Sequence, residues 1–136
     1  MLTDEIVQGS SWRREAYDFF SLPLFMRANT LLPMGENTDT PEYDYLHDLT
    51  LHVYALEEGR LARVTMYDMH AEHSLQVEAA RENKKLHITL EGHHANLCIA
   101  LYRSGEYVNT QGAKLTQAEH MQVLIVESDS RKITCW

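Results

Sequence analysis

Residues 74–92 read SLQVEAARENKKLHITLEG. Leu75, Val77 and Ala79 alternate with Gln76, Glu78 and Ala80, and Leu86, Ile88 and Leu90 alternate with His87, Thr89 and Glu91. Successive side chains of an extended strand point to opposite faces, so each run has one apolar and one polar face. The intervening polar residues Arg81–Lys85 read as a turn. Two strands wet on one side and dry on the other need a second apolar layer to cover them.

The same texture extends outward. Leu51, Val53 and Ala55 alternate with His52 and Tyr54, and EEGR at 57–60 reads as a turn. Val64, Met66 and Tyr67 follow, then Leu97, Ile99 and Leu101, with a turn at RSGE, 103–106. Val123 and Ile125 sit in a nearly continuous apolar run, 121–126, and Lys132–Trp136 reads as a last strand. Short strands with turn signals roughly every ten residues predict an all-β antiparallel β-sandwich. Only LTQAEHM, 115–121, suggests a turn of helix.

Upstream, residues 21–36 read SLPLFMRANTLLPMGE. Arg27 and Asn29 interrupt the apolar run well short of the roughly 20 residues that a membrane helix needs. Pro23 and Pro33 oppose a helix, since an interior proline costs about 3 kcal/mol. Leu22, Leu24 and Met26 share one face of an extended segment, and Thr30–Leu32 forms a second short run. Asn29 tolerates the left-handed backbone of a reversal, so the spacing predicts strand, turn, strand. The following GENTDTPEYDY, 35–45, reads as a loop or inter-domain connection.

Twelve Lys and Arg against twenty Asp and Glu leave a formal charge of −8, which argues against a nucleic-acid binder. Hydrophobic residues make up 44%, enough for a core. Cys98 and Cys135 are far apart and form no CxxC pair, so both are expected reduced, as in a cytoplasm. The first twelve residues lack the basic and apolar regions of a signal peptide.

Candidate chemistry is thin. His70 and His73 flank Glu72 three apart, but in a loop this spacing does not build a metal site, and no cofactor or metal is expected. His93 and His94 are adjacent and point opposite ways, while His52 and His87 occupy polar strand phases. Ser10, Ser11, Ser21, Ser74 and Ser104 lack a nucleophile-elbow frame. Cys98, between Leu97 and Ile99, reads as a small buried hydrophobe. Asp39, Glu42, Asp44 and Asp48 read as a solvating acidic loop. Trp12, Tyr17, Phe19 and Phe20 form an aromatic cluster suited to an interface.

The stretch Ser10–Asn37, SSWRREAYDFFSLPLFMRANTLLPMGEN, resembles the segment that follows the catalytic barrel in glycoside hydrolase family 31. Pro23 through Pro33 match that family's proline-bounded pattern around Arg27 and Asn29, with Met26 where valine is usual. Asn29 followed by TLLPMGEN, 30–37, and LTLHVYALEEG, 49–59, are similar to the bacterial α-xylosidase branch, and the leading LTDEIVQGSSW, 2–12, resembles the tail of a tryptophan- and glycine-containing segment of the family. The resemblance implies a remnant of a proximal C-terminal β-sandwich at 1–40 and a distal β-sandwich domain at 41–136. It implies a non-catalytic fragment of an α-glycosidase that hydrolyses O-glycosyl bonds, because the family's two catalytic aspartates lie on the barrel and match no position here. The chain would contact the parent's barrel and self-associate through residues 12–32. The alternative is a stand-alone carbohydrate-binding or protein-interaction module, with Tyr102, Tyr107 and Trp136 as candidate platform residues.

Overall fold

The structure is a computed structural model that describes residues 6–20, 24–35, 46–118 and 121–136. The expected boundary between residues 40 and 41, the acids Asp39, Glu42 and Asp44, and Ser21, Leu22 and Pro23 lie outside the described residues. Ten strands and no helix are found among the described residues. They are β1 Thr30–Gly35, β2 Leu49–Tyr54, β3 Leu61–Tyr67, β4 Ser74–Glu82, β5 Lys85–Gly92, β6 Cys98–Tyr102, β7 Thr110–Gln111, β8 Ala113–Gln117, β9 Gln122–Val126 and β10 Lys132–Cys135. They form two five-stranded sheets: sheet A, ordered β1-β2-β6-β9-β8, and sheet B, ordered β3-β4-β5-β10-β7.

The 74–92 stretch becomes the β4–β5 hairpin, in register from Leu75 opposite Gly92 to Glu82 opposite Lys85. The strands run further than the polarity of Arg81–Lys85 suggests, and the reversal is confined to Asn83 and Lys84. Both take a left-handed backbone, with φ of 54° and 62°. That is the pattern of a tight primed turn, whose twist matches the strands it joins. Glu58 accepts the Lys84 backbone N–H, which ties this turn to the one after β2.

One pairing departs from the antiparallel expectation. The chain leaves sheet A after β2, builds the β3-β4-β5 meander of sheet B, and returns to lay β6 parallel to β2, with Tyr54 beside Tyr102. A parallel neighbour needs such a crossover. Every other strand pair is antiparallel.

The core lies between the sheets. Leu51, Val53, Ile99 and Leu124 from sheet A meet Leu75, Val77, Leu86, Ile88, Leu90 and Ile133 from sheet B, all essentially inaccessible. These are largely the apolar phases of the alternating runs. In β9 the phase is the reverse of the residues singled out from sequence: Gln122, Leu124 and Val126 face inward, while Val123 and Ile125 face outward. An apolar run on both faces hides its own phase, and only the pairing of Ile99 with Leu124 fixes it.

Two local expectations are corrected. Residues 24–27 carry no strand, so the expected strand–turn–strand reduces to a turn at Ala28–Asn29 and the single strand β1. β1 runs to Gly35 and pairs along its length with β2. It is therefore the edge of the same sheet as Leu49–Tyr54. Asn29 fixes this corner: its backbone N–H donates to Tyr54 O, and its side chain exchanges hydrogen bonds with Glu57. The helical turn anticipated near Leu115 is instead β8, in register with β9 from Ala113 to Gln117. Local helix propensity at Leu115–Gln117 yields there to the hairpin's ladder.

Candidate functional site

The histidines are scattered, with one exception. The loop between β3 and β4 wraps around Asp68, whose carboxylate accepts the backbone N–H groups of His70, Glu72 and His73 at 2.9–3.1 Å. Loss of hydration opposes ionisation of Asp68, but the three N–H donors and His73 outweigh it and hold the carboxyl below its usual range. The loop turns His73 toward His93, ring centroids 5.9 Å apart, rather than pairing it with His70. The hairpin brings them near: His73 precedes β4 and His93 follows β5, one step out of register, with Ser74 opposite His93. His94 lies within 3.4 Å of Ser130 O, and His87 meets Thr134 across the β5–β10 pair. Among the described residues no group of three or more His, Cys, Asp or Glu is placed to hold a metal ion.

Asp48 is committed locally. Its hydrogen bond from Asn96, then its contact with His47, hold its carboxyl below the usual range. Ser104 is wholly buried and structural: its hydroxyl oxygen accepts the Leu56 N–H, and it lies within hydrogen-bond distance of Val53 O and Tyr102 O. Tyr107 donates to Ser104 O at 2.6 Å, and burial raises its pKa. Arg81 reaches the same corner and donates to Leu56 O. Ser10 and Ser11 lie exposed near the start, and Ser74 opens β4. Cys98 is half-buried on the outward phase of β6, not enclosed as expected; Cys135 is in the core, where burial pushes its thiol up to about 11. Neither cysteine is in a disulfide.

The sugar-platform candidates do not converge. Tyr107 is in the core, Trp136 follows β10 on sheet B, and Tyr102 lies on the outer face of sheet A. There Tyr102 forms a cluster that single strands could not reveal. Its ring stacks on Tyr54 at 4.7 Å and 11°, and on His52 at 5.6 Å and 23°. His52 Nδ1 lies 3.1 Å from the Tyr102 hydroxyl. Near-parallel rings at these spacings contribute about 1 kcal/mol per pair beyond their burial. They also turn their faces toward one another, which leaves little open ring face for a sugar.

Partial burial lowers the pKa of His52. The folded state disfavours its protonation, so the unfolded chain binds the proton first as pH falls. The stability from neutral His52 is therefore full above its ordinary value of 6.5 and is lost as pH drops through the lower folded value. Lowering the pH from about 7.5 to about 5.5 is expected to reduce the urea midpoint of the native chain more than that of a His52→Gln variant.

The two outer faces differ sharply. The strands of sheet A contain no carboxylate, and their only lysine or arginine is Lys114 on the edge strand β8. Sheet B displays Arg63, Glu78, Lys85, Glu91 and Lys132, with Arg63 and Glu78 ion-paired across β3 and β4. In a chain of net charge −8, the strands of this sheet stand out by their lack of acids.

The family described as alpha-xylosidase YicI, C-terminal domain, matches residues 44–135. Alpha-xylosidase XylQ of Lactiplantibacillus pentosus is 26% identical over 81 residues, which span 60% of this chain and 10% of that protein. The chain thus corresponds to about a tenth of the length of this curated relative. Among solved structures, the GH31 dextranase FjDex31A of Flavobacterium johnsoniae, complexed with isomaltotriose, superposes with a TM-score of 0.56 at 10% identity, over 80% of this chain and 19% of that one. Its complex with glucose gives the same values. These superpositions speak to the fold. Together with the two-sheet sandwich, the family match means that this chain belongs to the family of the alpha-xylosidase YicI C-terminal domain, a C-terminal region of glycoside hydrolase family 31 enzymes.

Proposed function

We propose that the chain is a non-catalytic C-terminal β-sandwich of an α-xylosidase-like enzyme that hydrolyses O-glycosyl bonds, and that it supports the catalytic barrel and oligomer contacts. The observation that carries this reading is the family match over residues 44–135. The acids add to it. Retaining hydrolysis uses two carboxyl groups about 5–5.5 Å apart, one of them held protonated as the acid. The two described carboxyls with displaced pKa values, Asp48 and Asp68, both move down, the wrong direction for a general acid. Self-association runs through residues 12–32, where Trp12, Phe19, Phe20, Leu24 and Phe25 are strongly exposed. With neither cysteine in a disulfide, the reading also places the chain in a reducing compartment, the cytoplasm.

The purified chain is expected to release no nitrophenol from a nitrophenyl α-xyloside above the blank. Turnover that follows the chain through successive chromatographic steps, and disappears when it is depleted, would overturn the non-catalytic reading.

A further inference from the structure

We infer that His73 and His93 together chelate a divalent transition-metal ion of the zinc class at the open end of the β4–β5 hairpin. The two rings come from opposite sides of that end, with centroids 5.9 Å apart and planes tilted by 43°. Two imidazoles on one metal, with nitrogen–metal bonds of about 2.0–2.1 Å, put their centroids roughly 4.5–5.3 Å apart. The difference is roughly 1 Å, within reach of side-chain torsions alone. Both side chains are exposed and free to make that adjustment.

The backbone already holds both residues in place. His73 is tied twice to Asp68: its N–H donates to the carboxylate at 3.0 Å, and its carbonyl accepts the Asp68 N–H at 3.1 Å. His93 donates its N–H to Ser74 O at 3.1 Å. Little ordering entropy is then left to spend on gathering the two donors. The Asp68 carboxylate is also close enough to His73 to interact with its charge, so an anion stands beside the place a cation would take. Arg131, which donates to Gly92 O next to His93, is the cation that opposes binding and keeps the affinity moderate. Exposure lets water fill the remaining coordination positions. Donor type selects the ion: imidazole suits zinc, nickel and copper, whereas calcium and magnesium need oxygen ligands. Other histidines are engaged elsewhere. His94 lies against Ser130 O, His87 against Thr134, His47 against Asp48, and His52 within the tyrosine stack.

Isothermal titration of the full chain with Zn²⁺ at about pH 7.5 tests the site, since metal-binding imidazoles must be deprotonated. The native chain is expected to bind Zn²⁺ reversibly, with release by EDTA, and to show no binding of Mg²⁺. His73→Ala and His93→Ala should each weaken Zn²⁺ binding by about tenfold or more. The double variant should bind no more weakly than either single one, because a chelate is lost with either ligand. His70→Ala and His47→Ala should bind as the native chain does. Zn²⁺ should also raise the urea midpoint of the native chain and of His70→Ala, but not of His73→Ala. Circular dichroism of the metal-free variants confirms that each is folded. A native chain that takes up no Zn²⁺ overturns the site. Losses in the two single variants that add up in the double variant overturn it too, since they describe two separate histidines. So does binding that disappears in His70→Ala or His47→Ala and persists in His73→Ala.

Discussion

Gly92→Ala is expected to cost the fold more than about 4 kcal/mol, a large fraction of the stability of a domain this size. Gly92 ends β5 opposite Leu75 with φ at +116°, a backbone that L side chains rarely adopt. An added Cβ would stand 1.9 Å from Ser74 O and 2.9 Å from Ser74 C. Ser74 O is main chain at the start of β4 and accepts the His93 N–H, so it cannot swing aside as a side-chain tip could. Gly59→Ala separates backbone strain from collision. Gly59 also has a positive φ, +72°, but nothing lies within 4 Å of its added Cβ. Its cost should be the left-handed penalty of about 1–2 kcal/mol. Urea denaturation at unchanged m value compares them; equal losses for the two variants would refute the collision.

Gln122→Leu should cost about 2–4 kcal/mol, and here the cause is polar. Gln122 is 8% exposed and faces the interior from β9. Its Oε1 accepts the Tyr107 N–H at 3.0 Å, and its Nε2 donates to the Tyr107 carbonyl at 2.8 Å. Leucine fills similar space but leaves both backbone groups of a 3% exposed residue without their partner. Each orphaned group costs about 1–3 kcal/mol. Tyr107→Phe offers the comparison, since it removes only the 2.6 Å donation to Ser104 O and should cost about 1 kcal/mol. A Gln122→Leu midpoint no lower than that of Tyr107→Phe would contradict the argument.

Much of the sandwich was legible because period-two alternation reports burial directly. Leu75 to Ala79 and Leu86 to Leu90 fell on the buried phase as read. What sequence withheld were the consequences of pairing between distant segments. The parallel β2–β6 contact has no local signature, so the stack of Tyr54 and Tyr102 could not be foreseen from either strand. The phase of β9 was ambiguous because both of its faces are apolar, and the short β7 has only two residues. The meeting of His73 with His93 was latent in the 74–92 hairpin, since extending its register by one step sets Ser74 opposite His93 and leaves His73 one residue away. The family resemblance rested on 2–60, whereas the family match covers 44–135, so the alternating strands and the named family converge on the same domain.

The order in which the chain visits the two sheets has a consequence for how the molecule comes apart. Neither sheet is built from one continuous length of polypeptide, because the backbone passes repeatedly from one to the other. Peeling β6 from β2 would strip the lid from the whole intervening meander, and withdrawing β10 would split sheet B between β5 and β7. The two layers are laced together like a boot, and loosening spreads across both tongues at once.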